Sequence, residues 1–230
     1  MVLKDAIGQS EDNCATCGRP PTICVCDRAV ALLTKRRVLI LQHPQEKDVL
    51  LGTASLVAQS LKSAKLVVGI SWSSLAQPLG DEDEDPKRWA VLFPDKKTEG
   101  AAQETEPGIR IVNRHGQPVP AKKVRGLVVL DGSWSQAKTL WWRNPWLLKL
   151  NRVTVFPTEP SIYGRLRVEP RNDYVSTLEA IGRVLTVCGE GPEVELGLKR
   201  IFRTLVQRAR DAGTGPARRP RRRPPKADRC

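Results

Sequence analysis

Long apolar stretches are missing from this sequence of 230 residues. No apolar run reaches the roughly 18 residues that a membrane-spanning helix needs, so we expect no membrane partner. The first thirteen residues, MVLKDAIGQSEDN, also lack the apolar core of a secretory signal, which predicts a cytoplasmic protein. Hydrophobic residues make up 40% of the chain, an ordinary share for a globular protein that buries a core.

Acidic residues are few compared with basic ones. The chain holds 38 Lys and Arg against 25 Asp and Glu, which gives a formal net charge of +13 and favours a polyanionic partner such as nucleic acid. Part of this charge lies at the end of the chain, in residues 214–230, where GPARRPRRRPPKADRC is rich in Pro and Arg. We interpret this segment as a disordered tail that either tethers RNA electrostatically or only keeps the chain in solution.

Four of the six cysteines lie within thirteen residues near the N-terminus, at Cys14, Cys17, Cys24 and Cys26. In a reducing compartment such a cluster favours a metal over disulfides. Four thiolates suit tetrahedral zinc, and four protein ligands would leave no open position for chemistry, so the zinc would be structural. The single spacer between the last two cysteines is tighter than in common zinc fingers, and an iron–sulfur cluster or free thiols remain alternatives.

Buried strands alternate with helices along the rest of the chain, which predicts an α/β fold with a mostly parallel sheet. We divide the chain into a zinc knuckle (1–30), an α/β domain (31–213) and the basic tail (214–230). The acidic run 81–85 is expected to be a solvated loop, and 95–122 a long loop or short hairpin. The predicted strands cover 35–43, 65–70, 89–93, 124–130 and 151–156, and the predicted helices cover 48–64, 135–144, 176–189 and 192–213.

Asp131 directly follows a strongly apolar predicted strand and precedes a helix. In open α/β sheets ligands bind beyond the carboxyl ends of the strands, so Asp131 is a candidate catalytic residue. Ser133 and Gln136 match a capping box, which would explain both without any function. Trp134 is a candidate for stacking on a base, although core packing would also account for the tryptophans of this helix.

A second helix start is predicted at Ser176, where Ser176 and Glu179 form another capping box. The free N–H groups and the positive dipole end of this helix suit a carboxylate ligand. The preceding Pro-rich loop carries three arginines that either bind an anion or remain solvated, at Arg165, Arg167 and Arg171. His43 ends the first strand, where a structural role is the commoner one.

The order of these motifs resembles the DTW-domain family of tRNA-uridine aminocarboxypropyltransferases. The similarity rests on Cys-x2-Cys-x6-Cys-x-Cys, on His-Pro-x-Glu followed by Leu-Gly-Thr (51–53), on Asp-x-x-Trp at a strand end, on the Arg-rich loop and on Ser-Thr-Leu-Glu-Ala (176–180). It covers about residues 14–205. One departure is that Gly132 stands where the family has Thr in its Asp-Thr-x-Trp motif, with Ser133 directly after it.

The resemblance implies a SPOUT-like fold with helices on both faces of the sheet and a knotted C-terminal part. It implies S-adenosylmethionine as the cosubstrate and tRNA as the partner, with a 3-amino-3-carboxypropyl group transferred to N3 of a uridine. Within this reading we predict catalysis by Asp131 and Trp134, cosubstrate binding by Leu130, Gly132, Ser133, Ser176, Thr177 and Glu179, and RNA contacts by His43, Arg165, Arg167 and Arg171. Two alternatives stay open, namely an RNA methyltransferase of the same fold and a non-catalytic zinc-containing RNA-binding protein.

Overall fold

The computed structural model describes residues 13–92, 104–164, 166 and 175–214. These residues form a six-stranded sheet in the order β2-β1-β5-β3-β6-β4, in which all neighbouring strands are parallel except the edge pair β4 and β6. The mostly parallel α/β fold predicted from the sequence is therefore confirmed. The strands are β1 (Arg37–Gln42), β2 (Ala64–Val68), β3 (Trp89–Leu92), β4 (Ile109–Val112), β5 (Gly126–Asp131) and β6 (Asn151–Val155).

Helices cover both faces of the sheet. They are α1 (Ala54–Ser60), α2 (Ala76–Leu79), α3 (Trp134–Arg143), α4 (Thr177–Val187) and α5 (Pro192–Asp211). Side chains of a strand alternate between the two faces. Val38 and Ile40 of β1 accordingly pack in the core formed with α1, α4 and α5, whereas Leu39 and Leu41 pack in the core formed with α2 and α3. Burial on both faces explains why the central strands are continuously apolar rather than alternating.

Local sequence signals set the ends of the two C-terminal helices. Ser176 and Glu179 form the capping box at the start of α4, and Gly189, at a φ of +96°, follows its end. A residue just past a helix favours glycine when it adopts this left-handed conformation. Pro192 begins α5, where its missing N–H costs nothing. In the described part of the chain, no helix combines the length and apolar character needed to cross a membrane.

Three predicted elements differ from the structure. The helix predicted over 48–64 is limited to Ala54–Ser60, because 49–52 form a turn in which the N–H of Gly52 bonds to the carbonyl of Val49. The segment 95–122, predicted as a long loop or a short hairpin, contains β4, which pairs with β6 at the sheet edge. The acidic run is not merely solvated, since Asp81 and Glu84 both bind the guanidinium of Arg37 at 2.6 and 2.7 Å.

The cysteine knuckle packs directly against the main core. Ile23 and Val25 are buried in the cluster that also holds α1, α4 and α5. Arg19 is buried beside them, and its side chain donates to the carbonyls of Leu50 and Gly52 at 2.9 and 2.7 Å. The knuckle is therefore joined to the loop that precedes α1 by both apolar contacts and hydrogen bonds.

Candidate active site at the carboxyl edge of the sheet

Asp131 is the last residue of β5 and lies at the centre of the carboxyl edge. Its strand pairs in parallel with β1, and the register places Gln42 directly opposite it. The side-chain amide of the buried Gln42 donates to Oδ2 of Asp131 at 2.9 Å. Asp131 itself is half-buried, so the residue is held by the protein without being fully enclosed.

The start of α4 meets the same carboxylate. Ser176 caps the helix by accepting from the N–H of Glu179 at 3.2 Å. The next residue, Thr177, donates its hydroxyl proton to Oδ1 of Asp131 at 3.0 Å. The fold thus brings together two predicted site residues that lie 46 positions apart in the sequence.

Glu179 binds protein groups with both of its carboxylate oxygens. Oε2 accepts from the hydroxyl of Ser161 at 2.7 Å and from the N–H of Ser176 at 2.9 Å, and Oε1 accepts from the N–H of Ile162 at 2.9 Å. These bonds hold residues 161 and 162, in the loop after β6, against the start of α4. The cosubstrate contact predicted for Glu179 stays a prediction, and the structure adds an anchoring function for this side chain.

Gly132 and Ser133 connect Asp131 to α3. The N–H of Ser133 donates to Oε1 of Gln136 at 2.6 Å, as expected for the predicted capping box. A Cβ atom at position 132 would lie 2.9 Å from the Cβ of Gln136, closer than side-chain carbons approach one another. Gly132 therefore makes room for Gln136, which gives a physical reason for the departure from Asp-Thr-x-Trp. Leu130 is buried just before this turn.

His43 lies beside Asp131 through its main chain. Its N–H donates to the carbonyl of Asp131 at 3.0 Å, and its Nδ1 accepts from the N–H of Gln45 at 3.3 Å. The side chain thereby caps the short helical turn Pro44–Glu46 while remaining half-buried at the edge. Gln45 in turn accepts from the side-chain amide of Gln136 at 3.0 Å, which ties the loops after β1 and β5 together.

The Leu51-Gly52-Thr53 segment is fixed by two buried side chains. Arg19 holds it from the cysteine knuckle, as described above, and the hydroxyl of the buried Tyr163 donates to the carbonyl of Leu51 at 2.6 Å. The ring of Tyr163 meets Phe202 of α5 edge-on, with 4.7 Å between the ring centroids. Arg19, Tyr163 and Gln42 are site-supporting residues that sequence reasoning missed, whereas Gln136 was predicted only as the capping partner of Ser133.

The tryptophans around α3 occupy different environments. Trp146 is buried and donates its indole N–H to the carbonyl of Trp72 at 3.0 Å, so core packing accounts for it. Trp134 and Trp141 are half-buried, whereas Trp142 is 77% exposed. The catalytic role predicted for Trp134 rests on its place three residues after Asp131 and stays a prediction. Arg165, Arg167 and Arg171 lie outside the described residues.

A groove lies between α5 and the loop that leads to α4. It has a volume of about 360 Å³ and is lined by Ile162, Arg203, Val206, Gln207 and Arg210. Arg203 and Arg210 are exposed, and neither forms an ion pair with a carboxylate in the described ranges. The groove therefore presents two guanidinium groups to solvent, close to the Ser161–Ile162 loop held by Glu179.

The four cysteines of the knuckle converge on one point. All four sulfur atoms lie within 4.8 Å of one another. The Sγ atoms of Cys14 and Cys26 are 3.8 Å apart, and those of Cys17 and Cys24 are 3.6 Å apart. A tetrahedron with Zn–S bonds of about 2.3 Å has sulfur atoms about 3.8 Å apart, so the donor set fits zinc in both type and spacing.

The thiols of this cluster have unequal proton affinities. Hydrogen bonds from the main-chain N–H groups of Cys17 and Thr16 lower the pKa of Cys14 to about 6. Burial raises the pKa of both Cys24 and Cys26. A zinc ion binds thiolates, so it must displace the protons from Cys24 and Cys26. Metal binding at this cluster is therefore expected to weaken as the pH falls.

Together, the fold and the site define an α/β protein with a polar ligand site at the carboxyl edge of its sheet and a four-cysteine knuckle beside it. The DTW domain model matches residues 11–210, and the chain belongs to the DTW domain family. This confirms the family indicated by the sequence motifs.

Curated relatives cover most of the chain. It is 28% identical over 225 residues to tRNA-uridine aminocarboxypropyltransferase 2 of Drosophila melanogaster, spanning 91% of this chain and 82% of that protein. It is 26% identical over 199 residues to the protein of the same name from Macaca fascicularis, spanning 84% of this chain and 62% of that protein. It is 25% identical over 214 residues to tRNA-uridine aminocarboxypropyltransferase A of Arabidopsis thaliana, spanning 84% of this chain and 79% of that protein. No solved structure matches the chain.

Proposed function

We propose that this chain is a tRNA-uridine aminocarboxypropyltransferase. It transfers the 3-amino-3-carboxypropyl group of S-adenosylmethionine to N3 of a uridine in tRNA and releases methylthioadenosine. Family membership and the names of relatives aligned over most of the chain support this reaction. The single structural observation that carries it is the half-buried carboxylate of Asp131, held between Gln42 and Thr177 at the carboxyl edge.

Asp131 is the residue that we assign as general base. N3 of uridine is a weak nucleophile until it loses its proton, and a carboxylate within hydrogen-bond reach can accept that proton. The N3–Cγ bond then forms while the Cγ–S bond breaks, and its electron pair stays on sulfur. The sulfonium becomes a neutral thioether, so the leaving group needs no acid. The proton taken by Asp131 passes to solvent.

Positioning decides which carbon of the cosubstrate reacts. A sulfonium offers a methyl carbon and the longer aminocarboxypropyl arm, and the one aimed at N3 is transferred. We assign the start of α4, at Ser176 and Thr177, to the carboxylate of that arm, because a helix N-terminus favours an anion. The hydroxyl of Thr177 would hold Asp131 and the arm in one geometry. Leu130, Gly132 and Ser133 would line the cosubstrate on the β5 side.

The remaining assignments follow from the same proposal. The cysteine knuckle holds structural zinc, which would fix Arg19 and so the loop before α1. The mostly parallel sheet is compatible with a SPOUT-like fold, and we include the C-terminal knot and the division at residues 30 and 213 in the proposal. A tRNA substrate and a zinc–thiolate site both suit a reducing compartment, and the cytoplasm is the location that we propose.

Label transfer tests the reaction directly. The protein is incubated with tRNA and with S-adenosylmethionine labelled either in the methyl group or in the carboxyl group. The proposal expects carboxyl label in RNA and methyl label in methylthioadenosine. Methyl label entering RNA would instead identify a methyltransferase. Calorimetry with S-adenosylmethionine alone separates both from a non-catalytic RNA-binding protein, which would show no binding.

A further inference from the structure

Trp142 is the most exposed large hydrophobic side chain in the described part of the chain, at 77%. Two other apolar side chains at the end of β2 are also exposed, Val68 at 39% and Ile70 at 40%. A large aromatic ring left in water contributes nothing to the core. A contiguous exposed apolar patch often marks a binding surface, whereas a single exposed side chain points to one only together with a second observation.

Trp142 shares one side of α3 with Trp134 and Lys138. These residues are spaced four apart, and side chains at this spacing lie one above the other on a helix. At 1.5 Å per residue the row extends about 12 Å from its first member to its last. Trp134 begins the row three residues after Asp131. We call Trp134, Lys138 and Trp142 the α3 row.

The far end of the α3 row is held at the same edge of the sheet as Asp131. Asn144, fully buried after α3, donates to the carbonyl of Ile70 at 2.9 Å and accepts from the N–H of Trp72 at 2.8 Å. Residues 70–72 follow β2, and the N–H of Gly69 bonds to the carbonyl of Gln42, the residue paired with Asp131. The α3 row therefore extends along the carboxyl edge, away from the proposed base.

Cations flank the exposed indole. Lys138 and Arg143 are exposed, and neither forms an ion pair with a carboxylate in the ranges that the structure describes. The helix segment WSQAKTLWWR contains no acidic residue at all. A symmetric contact with a second copy would place these cations against themselves, which disfavours self-association through this face. An anionic partner with flat apolar groups fits both features.

We propose that the α3 row binds unpaired nucleotides of the tRNA that flank the target uridine, with Trp142 stacking on a base and Lys138 contacting a phosphate. This inference rests on the proposed function. N3 lies on the edge of uridine that pairs with adenine, so the target must be unpaired when it reacts. Its neighbours in a loop are then unstacked and free to stack on an aromatic side chain.

The test compares two RNA probes without cosubstrate. One is a stem-loop with uridine in an unpaired loop, and the other is a fully paired duplex of the same length. Trp142→Ala should weaken binding to the stem-loop by roughly tenfold, because stacking on an aromatic ring is lost. Trp142→Phe should keep most of the affinity, and duplex binding should change little in either variant. Leu33→Ala serves as the control, since Leu33 is 75% exposed and lies outside the row.

Salt dependence separates the contributions of Lys138 and Trp142. Lys138→Gln should flatten the slope of log affinity against log salt by about 0.7 for one phosphate contact, whereas Trp142→Ala should leave that slope unchanged. Stem-loop affinity of Trp142→Ala within about twofold of wild type would overturn the proposal. So would an equal loss on both probes, or a dimer that Trp142→Ala converts to monomer. Because binding is measured without S-adenosylmethionine, failure of the label-transfer assay would count against the proposed reaction and not against this surface.

Discussion

At the scale of single residues, the site is built from hydrogen bonds that cross the sheet. Asp131 at a strand end and the capped start at Ser176 are visible in the sequence because each follows a local pattern. Their contact through Thr177 is not visible, since it depends on how α4 packs over the edge. Gln42 could not be singled out either, because its place opposite Asp131 comes from the register of β1 on β5.

Thr177 is expected to act as a positioning residue for Asp131. Thr177→Val keeps the size of the side chain but removes the hydrogen bond to Oδ1, so the carboxylate is held less firmly. A lost hydrogen bond to a charged group should lower kcat about tenfold. Thr177→Ser keeps the hydroxyl and should restore most of the rate. If Thr177 served only the fold, both variants would lose total activity equally because both would have a lower melting temperature. The kcat per folded molecule would then be unchanged.

At the scale of elements, the sequence predicts whether a segment is a helix or a strand better than it predicts where that element begins and ends. Every predicted strand has a counterpart, because strands buried on both faces give strong apolar runs. The helix predicted over 48–64 was too long, since apolar spacing continues through a segment that the structure turns at Gly52. For 95–122 the sequence allowed a long loop or a short hairpin. The pairing of β4 with β6 could not be predicted, because β6 lies about forty residues away and no local sequence pattern indicates the pair.

Removing the metal should loosen the element next to the site. Ile23 and Val25 join the knuckle to the core, and Arg19 holds the loop before α1. Chelation or Cys14→Ser should lower the melting temperature by roughly 10 °C and weaken S-adenosylmethionine binding. Elemental analysis should find one zinc per chain. Cys230→Ser, which removes a thiol far from the cluster in sequence, should have no such effect. Equal behaviour of the two variants would argue against a structural metal.

The acidic run should contribute stability that depends on pH. The guanidinium of Arg37 holds the pKa of Asp81 below its usual value. A carboxyl whose pKa is lower in the folded state stabilises the fold above its unfolded pKa of about 3.9, and this contribution is lost as the pH falls. Asp81→Asn should therefore lower the urea midpoint near neutral pH, and the difference from wild type should shrink towards about pH 3. Asp83→Asn, whose side chain forms no ion pair with a described residue, is the matched control.

At the scale of the whole molecule, basic residues outnumber acidic ones by thirteen, which suits the proposed tRNA substrate. The basic tail continues the chain beyond α5, whose Arg203 and Arg210 line the groove beside the Ser161–Ile162 loop. Composition predicts a preference for a polyanion, because the net charge can be counted without knowing the fold. It does not predict which side chains converge, since that depends on tertiary packing.

The tail should act as an electrostatic tether. Ending the chain after residue 213 removes seven Lys and Arg side chains. The slope of log affinity for tRNA against log salt should then flatten by about 3, if roughly half of these side chains contact phosphates. Binding of S-adenosylmethionine should stay as it is. An unchanged slope would assign the tail to keeping the chain in solution.

The most direct measurement is acp-uridine formation by Asp131→Asn, quantified by mass spectrometry of tRNA nucleosides. The variant keeps the shape of the side chain and can still accept from Thr177, but it cannot take a proton. Loss of a general base should lower kcat by at least about 100-fold, while affinities for S-adenosylmethionine and tRNA stay within a few fold of wild type. Asp48→Asn, at an exposed carboxyl, should leave the rate unchanged. A folded Asp131→Asn enzyme that forms acp-uridine at nearly the wild-type rate would contradict the account.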